Sequence, residues 1–147
     1  MTEPAAEVST EAARTGTGPG RVLVAIYTLF VVAGGARAGV QIATRFSVAP
    51  LAYSLSAVAA TIYLLATIAL AGHGRTLRRL AYTACSLELA GVVAVGTFSL
   101  LDPAAFPDAS VWSGYGRGYG FIPAVLPVLG LLWLRHTGSK RPARLHG

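Results

Sequence analysis

Four apolar runs, each near the length needed to cross a bilayer, occupy residues 22–44, 49–71, 80–101 and 120–135 of this 147-residue chain. An α-helix rises ~1.5 Å per residue, so about 20 apolar residues match a ~30 Å hydrocarbon core. The pattern predicts an all-α fold: a four-helix transmembrane bundle over residues 21–136. A disordered tail over residues 1–20 and a basic tail over 137–147 flank it. With 54% hydrophobic and 12% charged residues, the chain has no room for a separate soluble domain.

The net charge of +6 follows the membrane boundaries. With four spans, both termini and the connection 72–79 share one side, which holds Arg14, Arg21, Arg75, Arg78, Arg79, Arg135, Lys140, Arg141 and Arg144. The opposite side holds only Arg37, Arg45 and Arg117. Lys and Arg collect in cytoplasmic loops, so nine against three predicts that both termini are cytoplasmic in a multi-pass protein of the cell membrane. The basic residues form no stripe with interleaved aromatics of the kind nucleic acids require, so no nucleic-acid partner is expected. The expected partners are the lipid bilayer and a second membrane protein or another copy of the chain.

Connections 46–48 and 72–79 are short, which makes the helices they join antiparallel neighbours. The external connection 102–119 is longer, with Pro103, Pro107, Phe106, Trp112, Tyr115 and Tyr119. Long ordered loops are often functional, whereas aromatic rings at this depth also form interfacial belts. The string 114–120, alternating Gly with Tyr or Arg, matches no phosphate-loop or dinucleotide fingerprint and reads as a mobile hinge at the outer interface. Ala36-Arg37-Ala38 resembles a signal cleavage site. The acidic stretch before the first run and the run's length favour an uncleaved signal-anchor. In the fourth run, Pro123 falls in the first turn and Pro127 is expected to kink the helix. No internal repeat supports an inverted-repeat transporter.

Glu88 is the sharpest polar feature. Eight residues above Leu80, it lies ~12 Å into the membrane, where a charged side chain costs on the order of 2.5–3.5 kcal/mol. It must face the bundle, on a face shared with the small residues Ala81, Ala84, Cys85, Gly91 and with Val95. Tyr63, eight residues from Ala71, lies at the same ~12 Å depth on the neighbouring helix. Ser56, Ala60, Tyr63 and Thr67 share a face there, so the Tyr63 hydroxyl or Thr67 is expected to meet the Glu88 carboxyl. Glu88 is then either interhelical polar glue or a proton or cation site. Arg37, ~22 Å above Val22, is expected to snorkel outward toward Asp102 or Asp108. With Gln41 and Arg45 it forms a polar stripe, either an interface anchor or an anionic lipid or substrate contact. Gly35 and Gly39 make a G-x-x-x-G close-packing pair.

Cys85 is the only cysteine, which excludes an intramolecular disulfide and a paired-thiol site. His73, His136 and His146 all lie outside the spans, so a bis-His haem within the bundle is excluded. No H-E-x-x-H, C-x-x-C, G-x-S-x-G or clustered Asp motif occurs. No cofactor, metal or catalytic residue is expected, and the chain is not expected to be an enzyme.

The segments 37–44 and 49–53, together with Asp102-Pro103 through Gly120-Phe121 and Trp112, resemble uncharacterised four-span integral membrane proteins of actinobacteria. The similarity covers most of the chain after residue 20 and implies a multi-pass plasma-membrane protein with no assigned activity. Small multidrug exporters share four spans and an intramembrane Glu. Theirs lies in the first helix, and Glu88 lies in the third. The leading expectation is a non-catalytic accessory or scaffold subunit of a membrane assembly. The alternative is a small proton-coupled transporter or lipid-binding protein that uses Glu88.

Overall fold

A computed structural model describes the backbone of residues 3–139 and the side chains of residues 18–138. Every regular element among the described residues is helical: α1 (Glu3–Arg45), α2 (Pro50–Ala71), α3 (Arg75–Leu101), two short 3₁₀ segments (Pro103–Ala105 and Ser113–Tyr119) and α4 (Ile122–Ser139). Three helical stretches are long and apolar enough to cross a membrane: Gly18–Arg45, Pro50–Ala71 and Arg75–Leu101. A fourth crossing counts the Ser113–Tyr119 segment and α4 together as one span bent by 99°. The protein is an all-α bundle of the membrane class.

Three boundaries differ from the hydropathy pattern. The backbone is already helical at Glu3, where the sequence predicts a disordered tail to residue 20. Ala5, Ala6, Glu7, Glu11, Ala12 and Ala13 are strong helix formers, and Pro4 falls in the first turn where it removes no bond. α3 starts at Arg75, five residues before its apolar run, because arginine ends apolarity without ending a helix. α4 begins at Ile122 and runs to Ser139, beyond the expected 120–135. Most of the expected basic tail, residues 140–147, lies outside the described residues.

Around a few large buried side chains, Tyr27, Tyr53, Tyr63 and Leu126, small residues dominate the buried faces of α2 and α3. α2 buries Ala52, Ser56, Ala59, Tyr63, Ala66 and Leu70, alternating steps of four and three residues. Such spacing presents one seam to a neighbouring helix. Its large Val58, Leu64, Leu65 and Ile68 point outward. α3 repeats the arrangement, burying Ala81, Ala84, Cys85, Glu88, Val92 and Gly96 while Leu87 and Val93 face out. Lipid rewards outward apolar bulk as much as a core would, so small residues go where helices approach. The bundle runs α1–α2–α3–α4 by neighbour, and α1 also touches α4.

The close approaches occur away from the G-x-x-x-G pair. A Cβ added at Gly35 or Gly39 would meet nothing within 4 Å. A Cβ at Gly20 would stand 2.7 Å from the Trp133 ring, and one at Gly130 2.8 Å from Cys85 Sγ. These two glycines, not the motif, let α4 onto α1 and α3.

Candidate functional site

The connection between α3 and α4 folds into the bundle. Trp112 is only 3% exposed. Its indole lies over Gly91 of α3, where an added Cβ would stand 2.6 Å from the ring. Gly91 is ten residues before Leu101, so the indole reaches ~15 Å along α3 from its C-terminal end. Tyr115 fills the next notch, over Gly96. Trp112 and Tyr115 therefore form a re-entrant plug, in place of the aromatic belt that sequence allows as one alternative. Irregular backbone is tolerated at such depth only when protein surrounds it.

Local geometry drives the loop inward. Gly114, Tyr115 and Gly116 take consecutive left-handed conformations (φ 56°, 61° and 81°), and Gly120 and Phe121 follow at φ 63° and 61°. Left-handed backbone costs a non-glycine residue roughly 1–2 kcal/mol, and here glycine carries three of the five positions. At Gly116 a Cβ would meet the Pro123 ring at 2.8 Å, so only glycine lets the turn sit on α4. The Gly/Tyr string is thus a packed turn, with Gly116 buried, where sequence predicts a mobile hinge.

Hydrogen bonds stitch this plug to three helices. On α2, Ser56 Oγ accepts from the Val111 amide (3.1 Å), and the Tyr53 hydroxyl donates to Asp108 Oδ2 (2.8 Å). On α3, Ser99 Oγ accepts from the Gly114 amide (2.9 Å), and the Thr97 and Tyr115 hydroxyls lie 3.0 Å apart. On α1, Arg37 Nη1 donates to the Tyr119 hydroxyl (2.7 Å) with its guanidinium 5.7 Å from the ring centroid. Arg37 therefore turns to an aromatic of the loop, not to Asp102 or Asp108. Tyr53 already holds Asp108, and Asp102 is exposed. Gln41, half-buried one turn above Arg37, hydrogen-bonds to none of the described residues.

Beneath the plug lies the intramembrane carboxyl. Glu88 is fully buried, as expected. Its partner differs from the expected one: Tyr27 of α1 donates to Oε2 at 2.7 Å. The Tyr27 hydroxyl also lies 3.8 Å from Cys85 Sγ. Tyr63 is fully buried beside it, its ring centroid 6.2 Å from that of Tyr27. Its hydroxyl accepts from Trp112 Nε1 at 3.0 Å. Thr67 returns its hydroxyl to the Tyr63 carbonyl at 2.7 Å, one helical turn back, and so does not reach the carboxyl. Depth placed Tyr63 level with Glu88, but its hydroxyl instead accepts from the buried indole of Trp112.

The cluster draws on every part of the fold: Tyr27 from α1, Tyr63 from α2, Cys85 and Glu88 from α3, Gly130 from α4, with Trp112 as its roof. One polar atom stands out. Glu88 Oε1 is buried and has no hydrogen-bond partner among the described residues. Among those residues no group of three or more His, Cys, Asp and Glu comes together to hold a metal ion. The arrangement can hold or exchange one proton on the carboxyl, and it ties the re-entrant loop to the helices. Comparison with known protein families, with curated proteins and with solved structures finds no match for this chain.

Proposed function

We propose that the protein is a non-catalytic scaffold or accessory subunit of a membrane assembly, spanning the plasma membrane four times with both termini cytoplasmic. One observation carries the reading: the polar side chains within the bundle hold the chain's own parts together. Tyr27 and Glu88 join α1 to α3, and Tyr63, Ser56, Ser99 and Arg37 fix the loop. The open face around Gly35 and Gly39 offers close approach to a helix from another chain. The orientation rests on the nine-to-three division of basic residues. Mild-detergent extraction from native membranes, followed by the mass of the intact particle, tests the role. A stoichiometric second protein supports the reading, and a particle containing only this chain overturns it.

The unpartnered Glu88 Oε1 favours a second reading, a proton-coupled transporter. Purified protein in vesicles with an internal pH dye separates the two. Proton flux that is lost in Glu88→Gln supports transport, and flux equal to that of empty vesicles removes it.

A further inference from the structure

At the end of the bundle opposite the plug, two adjoining cavities open around Trp133. The larger, about 610 Å³, lies between α1, the end of α2 and α4. The other, about 470 Å³, extends under the connection between α2 and α3. Both are lined by Leu70, His73, Trp133 and Thr137. Each falls within the roughly 300–1,000 Å³ typical of small-molecule sites.

The lining has two chemistries in a fixed order. Toward the membrane interior it is apolar, with Val24, Ala25 and Leu70. Outward it is basic: Arg21 at one mouth, Arg75 and Arg78 at the other, and His73 between. Among the described residues no acidic side chain lines either cavity. Glu88 is held by Tyr27 farther in, and Asp102 and Asp108 lie at the other end of the bundle. Arg78 is already committed, donating to the Leu134 carbonyl and to Thr137 Oγ1 and stacking 5.5 Å from the Tyr82 ring centroid. It acts as a wall that straps α3 to α4. Arg21 and Arg75 make no hydrogen bond or ion pair with any described residue and are exposed. The indole of Trp133 sits where amphipathic rings meet headgroups.

We propose that this cavity pair is a binding site for one anionic phospholipid, with its phosphate between Arg21 and Arg75 and an acyl chain along Val24 and Ala25. Basic pockets between membrane helices suit such headgroups. The apolar wall continues onto the exposed Val22 and Leu29 of α1, which gives the chain a dry path to the bilayer. A free anion would have no use for that wall. The inference is independent of the scaffold reading, since it concerns neither Glu88 nor a protein partner.

The test uses the full chain in detergent, titrated with phosphatidylglycerol or with phosphatidylcholine of the same acyl chains, and reads retained lipid by native mass spectrometry. One retained phosphatidylglycerol per chain is expected, in preference to phosphatidylcholine. Each juxtamembrane arginine is worth about fivefold at an anionic headgroup, so Arg21→Gln with Arg75→Gln reduces that preference roughly 25-fold. The pair Arg21→Lys with Arg75→Lys keeps it. Equal retention of the two lipids overturns the proposal, as does an undiminished preference in the glutamine variant. Displacement of phosphatidylglycerol by millimolar inorganic phosphate reassigns the site to a free anion and overturns it too. A second readout needs no variant: in wild-type protein, brominated phosphatidylglycerol should quench tryptophan fluorescence more than brominated phosphatidylcholine, and equal quenching counts against the site.

Discussion

Substituting alanine at Gly91 isolates the contact that holds the re-entrant loop. The added Cβ would stand 2.6 Å from two carbons of the Trp112 ring and 3.0 Å from a third. Carbon atoms rest at about 3.5–4.0 Å, so the indole must retreat by roughly 1 Å. It has little room, because Trp112 is buried and its Nε1 donates to the Tyr63 hydroxyl at 3.0 Å. Lengthening that bond by ~1 Å takes it out of hydrogen-bond range. Overpacking costs about 1–3 kcal/mol. A lost interhelical-type hydrogen bond within a membrane adds about 0.6–1.7 kcal/mol. Alanine in a helix interior returns up to ~1 kcal/mol relative to glycine.

Gly39→Ala supplies the matched control. Gly39 also lies inside a helix, and a Cβ there meets nothing within 4 Å, so only the propensity gain remains. Subtracting one variant from the other cancels that gain and leaves about 2–5 kcal/mol of relative destabilisation at Gly91. Reversible unfolding in mixed micelles with increasing dodecyl sulfate measures the difference. Limited proteolysis reads the loop directly and should cut residues 102–119 faster in Gly91→Ala than in Gly39→Ala. Equal stability and equal cleavage of the two variants would refute the buried position of Trp112.

Tyr27→Phe and Glu88→Gln, alone and combined, should show a coupling of about 0.6–1.7 kcal/mol in a double-mutant cycle by the same unfolding measurement; additive effects would mean that the two side chains do not bond. Cys85 is fully buried, so in detergent a maleimide should leave it unlabelled until dodecyl sulfate unfolds the bundle, and rapid labelling of the folded protein contradicts the packing of α3 against α4. Arg37→Gln removes an exposed contact to Tyr119 and should lower stability by no more than about 1 kcal/mol; a loss comparable to that of Gly91→Ala would show that Arg37 anchors the loop more strongly than its geometry implies.

Hydropathy located the helices by depth, so it was accurate where apolarity and helix end together. α2 occupies Pro50–Ala71 against an expected 49–71, because Pro50 and Gly72 close both the apolar run and the helix. At α3 the two diverge, since Arg75, Arg78 and Arg79 leave the hydrocarbon without leaving the helix. Glu88 was legible for the same reason: a carboxyl ~12 Å deep has only the bundle interior to occupy. Its partner was not. Depth arithmetic ranks every residue at one level alike, and short connections single out sequential neighbours, which favoured Tyr63. Tyr27 lies five residues above Val22, ~8 Å deep by the same rise, and its long side chain spans the remaining height.

The loop shows which signal was missed. Phe106, Trp112, Tyr115 and Tyr119 read as an interfacial belt or as part of a functional loop, and neither reading predicts a plug, because composition does not say whether a cleft exists to receive them. The cleft is written on α3, in Gly91 and Gly96, the notches that accept Trp112 and Tyr115. In a chain with 17 glycines no single one is informative. The discriminating pattern is paired: large rings in a loop matched to glycines on the facing side of a helix. The Gly35/Gly39 pair satisfies the better-known motif, yet among the described residues nothing lies within 4 Å of a Cβ added at either position. Glycine in a membrane helix thus leaves room for a close approach, and for Gly91 and Gly96 what approaches is a second segment of the same chain, the loop that carries Trp112 and Tyr115.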